Sequence, residues 1–230
     1  MIETVSIKAV RAATELVANT CAARDMPLTL ALHGGGEPTL DRDRADLILD
    51  IAAETAGKNG IPLHSYIATN GAVSEGTADW LAKHFDQVGI SCDGTPDVQN
   101  HQRPGLDGRA SADGVYRTMS MLQRRERPFS VRMTATRDTF GKQAEMVEFL
   151  ADQFAPIEIR IEPVYANPAC EPIPECSIAD VFVESFFEAQ QAGAAHNVSS
   201  PPPNAYQSAP LGTATGRSAI TDLVLMVVLP

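Results

Sequence analysis

Residues 33–40 read His-Gly-Gly-Gly-Glu-Pro-Thr-Leu and lie between a short apolar segment, 28–32, and a helical pattern that begins at Asp41. Glycines at such a place let the backbone approach a ligand closely and offer it N–H and C=O groups. The carboxylate of Glu37 can pair with a ligand ammonium group. The stretch suits an amino-acid-like ligand, although a Gly-rich turn with a solvated glutamate would give the same pattern.

Strand and helix patterns alternate along the chain on both sides of this stretch. Apolar residues at helical spacing predict helices over 3–24, 41–58, 74–85, 113–126, 141–154 and 178–192. Short apolar or alternating segments predict strands over 28–32, 63–69, 87–92, 129–136 and 157–164. Strands separated by helices of this length imply right-handed crossovers and a parallel sheet.

Two of the predicted strands alternate apolar and polar residues, which bears on the kind of sheet. The apolar set is Phe129, Val131, Met133, Ile157, Ile159 and Ile161, and the polar set between them is Ser130, Arg132, Thr134, Glu158, Arg160 and Glu162. Helices on both faces of a doubly wound sheet would bury the polar set at a cost in free energy. A polar ligand in a barrel lumen explains that set better. We therefore expect an α/β fold with an incomplete barrel.

The length of the chain bounds its domain organisation. With 230 residues and 44% hydrophobic composition, it is long enough for one α/β domain with a full core, which we expect over 1–195. The remainder, 196–230, is a Pro/Ser/Ala-rich tail that we expect to be loop or disordered. Its last apolar run, Leu223–Leu229, could instead be a strand or a frame-shifted remnant.

Charge and hydropathy limit the partners. A formal net charge of -11 argues against nucleic acid, whose binding relies on clustered Lys and Arg. The longest apolar run, Leu223–Leu229, is too short to span a bilayer, and no secretion signal opens the sequence. We expect a cytoplasmic protein with no nucleic-acid or membrane partner; the oligomeric state is not predicted.

Further segments follow residues 33–40 in the order of a known family. They are Thr69-Asn70-Gly71, Ile90-Ser91-Cys92-Asp93-Gly94 and His101-Gln102-Arg103. Asn-Gly alone is a common turn signal. Together with Gly-Gly-Glu-Pro, however, the set resembles the landmarks of radical SAM enzymes, over about residues 1–165. The Ser-x-Asp-Gly element is similar to that of the subgroup with anaerobic sulfatase-maturating and related peptide-modifying enzymes.

The resemblance implies a partial (β/α) barrel of the radical SAM type, with S-adenosylmethionine across the C-terminal strand ends. Gly35, Gly36 and Glu37 would hold the methionine ammonium, while Ser91 and Arg103 would engage other polar groups of the cofactor. The cofactor-binding residues predicted in this way are Gly35, Gly36, Glu37, Pro38, Asn70, Ser91, Asp93, Arg103 and Thr134.

Two positions on the polar strand faces have alternative interpretations. Arg132 and Thr134 could reach the ribose or carboxylate of the cofactor, or Arg132 could belong to a structural ion pair. Glu162 lies where the family often contacts adenine or substrate, and a salt bridge with Arg160 is the alternative. No catalytic residue is predicted.

The family's Cys-x3-Cys-x2-Cys loop, which ligates a [4Fe-4S] cluster, is absent from the sequence. Cluster iron needs thiolates, and Cys21, Cys92, Cys170 and Cys176 do not have that spacing. In the family the loop precedes the helix that here begins near Glu3. We therefore expect an N-terminal truncation that removes the first barrel strand, and we predict no metal ligand. Cys170 and Cys176 are either survivors of an auxiliary cluster site or unliganded thiols.

Two hypotheses of function follow. In the first, the chain is the S-adenosylmethionine-binding portion of a radical SAM enzyme that generates a 5'-deoxyadenosyl radical to modify a peptide or protein. In the second, it is a catalytically inactive fragment or a non-catalytic module that binds S-adenosylmethionine or a peptide. Loss of the first strand would also expose the edge of the next one, and we expect poor solubility from that edge.

Overall fold

The computed structural model describes residues 5–164, 176–201 and 224–229. Its strands are β1 (Leu28–Gly34), β2 (Leu63–Thr69), β3 (Gln87–Ser91), β4 (Phe129–Ala135), β5 (Glu158–Pro163) and β6 (Val224–Leu229). Its α-helices are α1 (Ile7–Ala23), α2 (Arg42–Asn59), α3 (Glu75–His84), α4 (Pro96–Gln102), α5 (Ala112–Arg124), α6 (Gln143–Phe154) and α7 (Cys176–Ala195). Short 3-10 helices span Pro38–Leu40 and Arg137–Lys142.

The strands form a six-stranded sheet in the order β5-β4-β3-β2-β1-β6. Pairing is parallel between β1 and β2, between β1 and β6, and between β4 and β5. This arrangement confirms the predicted α/β class with parallel strands. The chain divides into two compact units, of which unit 1 is Met1–Thr69, Asp79–Val88 and Ala205–Pro230, and unit 2 is Asn70–Ala78 and Gly89–Asn204. The predicted boundary at residue 195 stays a prediction.

Unit 1 is built around β1, which has a parallel neighbour on each side. Leu28, Leu30 and Leu32 are fully buried in this strand, as expected for a strand covered on both faces. Helix α2 begins where the Asp41 carboxylate accepts a hydrogen bond from the Arg44 N–H at 3.2 Å. It ends at Asn59, and the next residue, Gly60, has a φ of 65°, the left-handed conformation that glycine favours. These caps fix how the chain leaves and returns to the sheet.

Unit 2 packs its helices through apolar stripes and a buried amide. Helix α5 buries Val115, Met119 and Leu122, which recur at helical spacing. The buried side-chain Nε2 of Gln143 in α6 donates to the carbonyl of Phe182 in α7 at 2.9 Å, whereas its Oε1 has no hydrogen-bond partner among the described residues. These contacts hold α6 and α7 together within the unit.

Helix α4 is the element that sequence patterns missed. It has seven residues, and its buried residue is Gln99 rather than an apolar one. A helix this short, without an apolar stripe, gives no periodic signal. Its position depends instead on the hydrogen bonds that Gln99 makes.

The tail differs in part from the predicted loop. Residues 202–223 lie outside the described part of the chain. Val224–Leu229 form β6, and a strand was one of the alternatives predicted for this apolar run. Because β6 pairs with β1, the edge of β1 that was expected to be exposed is covered. Among the described residues, no helix combines the length and the apolar character needed to cross a bilayer.

Candidate functional site

The loop after β1 is a tight turn of glycines. A Cβ atom added to Gly34 would lie 2.2 Å from the backbone oxygen of Gly36, closer than atoms can approach, so only glycine fits there. Gly35 and Gly36 are exposed, and Pro38 is buried at the start of the 3-10 helix. The turn therefore exposes the backbone of Gly35 and Gly36 to solvent, whereas Pro38, where the chain leaves the turn, is buried.

The carboxylate of Glu37 is held in place by two threonines. Its Oε1 atom accepts hydrogen bonds from the Thr39 N–H at 3.2 Å and the Thr39 hydroxyl at 2.7 Å. The same atom accepts one from the hydroxyl of Thr69 at 2.7 Å. Thr69 is buried at the end of β2, so this contact joins the loop after β1 to the neighbouring strand. The sequence motif predicted a role for Glu37 but none for Thr39.

Asn70 and Gly71 form a turn. The Asn70 Oδ1 atom accepts a hydrogen bond from the Ala72 N–H at 2.8 Å, which is the usual way an asparagine stabilises a turn. Gly71 has a φ of 75°, a left-handed conformation. The structure supports the turn interpretation of this pair, and a cofactor contact by Asn70 stays a prediction.

Three of the predicted residues meet in one network of unit 2. Asp93 is 1% exposed, and its Oδ2 atom accepts a hydrogen bond from the Arg103 Nε at 2.7 Å. Its Oδ1 atom accepts from the Thr134 N–H at 2.8 Å. Arg103 also donates from Nη2 to the Thr134 hydroxyl at 2.8 Å. Asp93 thus fixes Arg103 against β4, and removal of either charge would leave the other poorly compensated.

Two glutamines of α4 extend this network, and sequence reasoning missed both. Gln99 is 1% exposed; its Oε1 accepts from the Asp93 N–H at 2.9 Å, and its Nε2 donates to the Ser111 hydroxyl at 3.1 Å. Gln102 donates from Nε2 to the Thr134 carbonyl at 3.1 Å. Glutamine is mostly exposed in proteins, so the sequence held no signal for this burial.

Arg103 and Ser91 have hydrogen-bonding capacity left. The Arg103 side chain is 34% exposed, and its bonds to Asp93 and Thr134 use only some of the five N–H groups of a guanidinium. Ser91 ends β3 and is partly exposed; among the described residues its hydroxyl has no hydrogen-bond partner. Both side chains can therefore bind an anionic group such as a carboxylate.

The polar faces of β4 and β5 carry ion pairs. Arg132 donates from Nε to Glu162 Oε2 at 2.9 Å, and Arg160 pairs with Glu158 on its own strand. The partner of Glu162 is thus Arg132 on the adjacent strand, whereas one of its two interpretations had named Arg160. Arg132 forms a structural ion pair, which was one of its two interpretations.

Comparison with solved structures gives the fold a name. No protein-family model matches the sequence. A structure of anSMEcpe with bound AdoMet matches with a TM-score of 0.68 and 17% identity, covering 85% of this chain and 54% of that one. SuiB of Streptococcus suis matches with a TM-score of 0.55 and 12% identity, covering 83% of this chain and 42% of that one. The chain has the radical SAM fold. This confirms the fold predicted from the motifs.

A shorter structure with this fold is a domain of pyruvate-formate lyase-activating enzyme from Bacteroides vulgatus. It matches with a TM-score of 0.50 and 16% identity, covering 75% of this chain and 98% of that one. In contrast, the chain spans about half the length of anSMEcpe. The radical SAM fold is thus shared with one structure of domain size and with larger proteins.

The described cysteines do not fit the iron–sulfur cluster that radical SAM enzymes use. Burial raises the pKa of the Cys92 thiol to about 12, with a smaller contribution from Asp93, so it is a thiol rather than a thiolate at neutral pH. Cys21 is buried in α1. Cys170 lies outside the described residues, and Cys176 is described only as the first residue of α7.

The other described side chains do not supply a metal site either. Within the described residues, no group of three His, Cys, Asp or Glu side chains could hold a metal ion. Cluster iron is bound by thiolates. We therefore derive no reaction step through a cluster from these residues.

Proposed function

We propose that this chain binds S-adenosylmethionine, as the cofactor-binding portion of a radical SAM enzyme that modifies a peptide or protein. The observation that carries the proposal is the Gly34–Pro38 turn, in which exposed glycine backbone lies next to a fixed carboxylate. Structures with the same fold support it: one of anSMEcpe has bound AdoMet and the Kp18Cys peptide, and one of SuiB has bound S-adenosylmethionine.

In this proposal the two charged groups of the methionine moiety have different partners. Carbonyl groups of Gly35 and Gly36 and the carboxylate of Glu37 would bind the ammonium. Ser91 and Arg103 would bind the carboxylate, since a guanidinium suits paired hydrogen bonds to it. Pro38, Asn70 and Asp93 would hold these binding groups in position. The Thr134 hydroxyl would contact the ribose or the carboxylate.

The proposed enzyme would generate a 5'-deoxyadenosyl radical, which the family resemblance implies. That chemistry needs a [4Fe-4S] cluster as its electron source, and the described residues do not fit one. We therefore assign binding alone to these residues.

Calorimetric titration of the purified chain with S-adenosylmethionine tests the proposal. We expect saturable binding heat, and we expect Arg103→Met to weaken the affinity at least about tenfold because the charge-assisted hydrogen bonds are lost. Arg109→Met is the matched control, because the Arg109 side chain is 86% exposed and pairs with the nearby Asp107. Absence of heat with the unmodified chain would contradict the proposal, as would equal affinity in all three proteins.

A second candidate is a module that binds S-adenosylmethionine or a peptide without catalysis. The specific observation in its favour is the poor fit of the described cysteines to a cluster. The two candidates differ in product: only a protein that adds cluster ligands to these residues would release 5'-deoxyadenosine after reconstitution with iron and sulfide.

A further inference from the structure

The strand that carries the cofactor loop has a partner near the C-terminal end of the sequence. β1 pairs with β2 on one side and with β6 on the other, both in parallel. The β6 register runs without a break from Thr29 opposite Val224 to Gly34 opposite Leu229. Pairing with β6 therefore continues to the last residue of β1.

The β6 register extends further along β1 than the β2 register does. On the β2 side, the paired residues of β1 run from Leu28 to Leu32. On the β6 side they continue through His33 and Gly34, the residues from which the loop departs. In this register, β6 is the neighbour that holds the end of β1.

One face of β6 is buried, and the other is exposed to solvent. Leu225 is 8% exposed and Val227 is 5% exposed, whereas Met226 between them is 58% exposed. Alternate residues of a strand point to opposite faces. Leu225 and Val227 therefore pack into unit 1, and Met226 faces solvent.

We infer that β6 is a positioning strand for the cofactor loop. Leu225 and Val227 hold β6 on β1, and β6 fixes the backbone of His33 and Gly34 at the entrance to the loop. Glycines lose more conformational freedom on ordering than other residues, so a loop of three glycines depends strongly on a fixed starting point. The inference rests on the proposed function only where it concerns S-adenosylmethionine.

Two neighbouring substitutions in the full-length chain test this inference. Leu225→Asn places an amide in the buried face of β6, whereas Met226→Asn places the same amide on the exposed face and serves as the control. Hydrogen exchange, followed on peptides covering 29–37, reports the order of β1 and the loop. Calorimetry on the same proteins reports the affinity for S-adenosylmethionine.

For Leu225→Asn we expect exchange in 29–37 to be at least about tenfold faster and S-adenosylmethionine affinity to fall about tenfold, because a buried amide without partners disfavours the seated strand. Met226→Asn is expected to match the unmodified chain, and exchange in β4 and β5 is expected to be unchanged. If the unmodified chain binds no S-adenosylmethionine, the proposed function fails, and exchange in 29–37 still decides the role of β6.

Three results would overturn the inference. The first is exchange in 29–37 that is the same in Leu225→Asn as in the unmodified chain. The second is a loss of protection in all strands together, which would make β6 a general core element. The third is faster exchange in 29–37 with unchanged S-adenosylmethionine affinity in a chain that binds it.

Discussion

At the scale of single residues, the orientation of Glu37 depends on neighbours that the motif does not include. Thr69 at the end of β2 and Thr39 in the 3-10 helix after β1 both donate to one carboxylate oxygen. Hydrogen bonds to a charged group contribute roughly 1.5–3 kcal/mol each. Thr69 therefore matters for the site even without touching a ligand.

We predict that Thr69→Val weakens the binding of S-adenosylmethionine about tenfold, because valine has the same shape but no hydroxyl to donate. Thr69→Ser keeps the donor and is expected to restore most of the affinity. Calorimetry measures both, and thermal melting shows whether the fold is intact. Equal affinity of the valine and serine variants would argue against this role for Thr69.

Cys92 gives a prediction about pH. Burial raises the pKa of its thiol from the ordinary value of 9.0 to about 12 in the folded chain. The unfolded chain therefore loses this proton first, and the free energy of unfolding falls as the pH rises through 9 toward 12. Melting temperatures measured from pH 7 to pH 10 should decline less steeply in Cys92→Ala. Parallel profiles for the two proteins would count against a buried, neutral thiol.

Motifs identified some site residues because charged and glycine residues in a fixed order are rare enough to recognise. Asp93, Arg103 and Thr134 were named from sequence, and the structure brings them into one network. The roles of Gln99 and Gln102 could not be predicted, since they depend on tertiary contacts that leave no pattern in the sequence.

At the scale of elements, α4 is held by polar contacts rather than by an apolar stripe. Gln99 bonds the Asp93 N–H and the Ser111 hydroxyl, and the Ser111 hydroxyl donates to the Arg103 carbonyl at 2.6 Å. The position of Arg103 at the end of α4 is thus tied to the end of β3.

We predict that Gln99→Leu lowers the free energy of unfolding by about 1–3 kcal/mol, because it leaves the buried Asp93 N–H without an acceptor. His101→Ala, at an exposed position of the same helix, should change it by less than about 0.5 kcal/mol. Urea denaturation measures both. An unchanged free energy of unfolding in Gln99→Leu would mean that water replaces the lost acceptor.

The strands and the longer helices were predictable because each has a local pattern. β1, for example, was expected at 28–32 and extends over Leu28–Gly34. β6 shows the limit of this reasoning. Its apolar run suggested a strand as one alternative, but pairing with a strand almost two hundred residues earlier is a long-range contact that no local pattern contains.

At the scale of the whole molecule, strand–helix alternation predicted the α/β fold, and the match to structures of the same fold confirms it. The activity does not follow from the fold, because one fold serves many functions. The predicted poor solubility stays a prediction. The exposed edge of β1 no longer supports it, because β6 covers that edge.

We predict that reconstitution of this chain with iron and sulfide gives no cluster absorbance and no 5'-deoxyadenosine, because the described thiols do not fit a cluster. Binding of S-adenosylmethionine should persist in the same sample. Cluster absorbance that disappears in a Cys170→Ser and Cys176→Ser double variant would instead assign ligands to those two cysteines.

The pairing of Gly34 with Leu229 also affects how the protein should be handled. An affinity tag joined after Pro230 would start two residues beyond Leu229, which pairs with Gly34 at the entrance to the glycine loop. A histidine tag at that point could bind metal ions next to the loop and imitate a natural ligand. Binding and reconstitution experiments should therefore use protein from which such a tag has been cleaved.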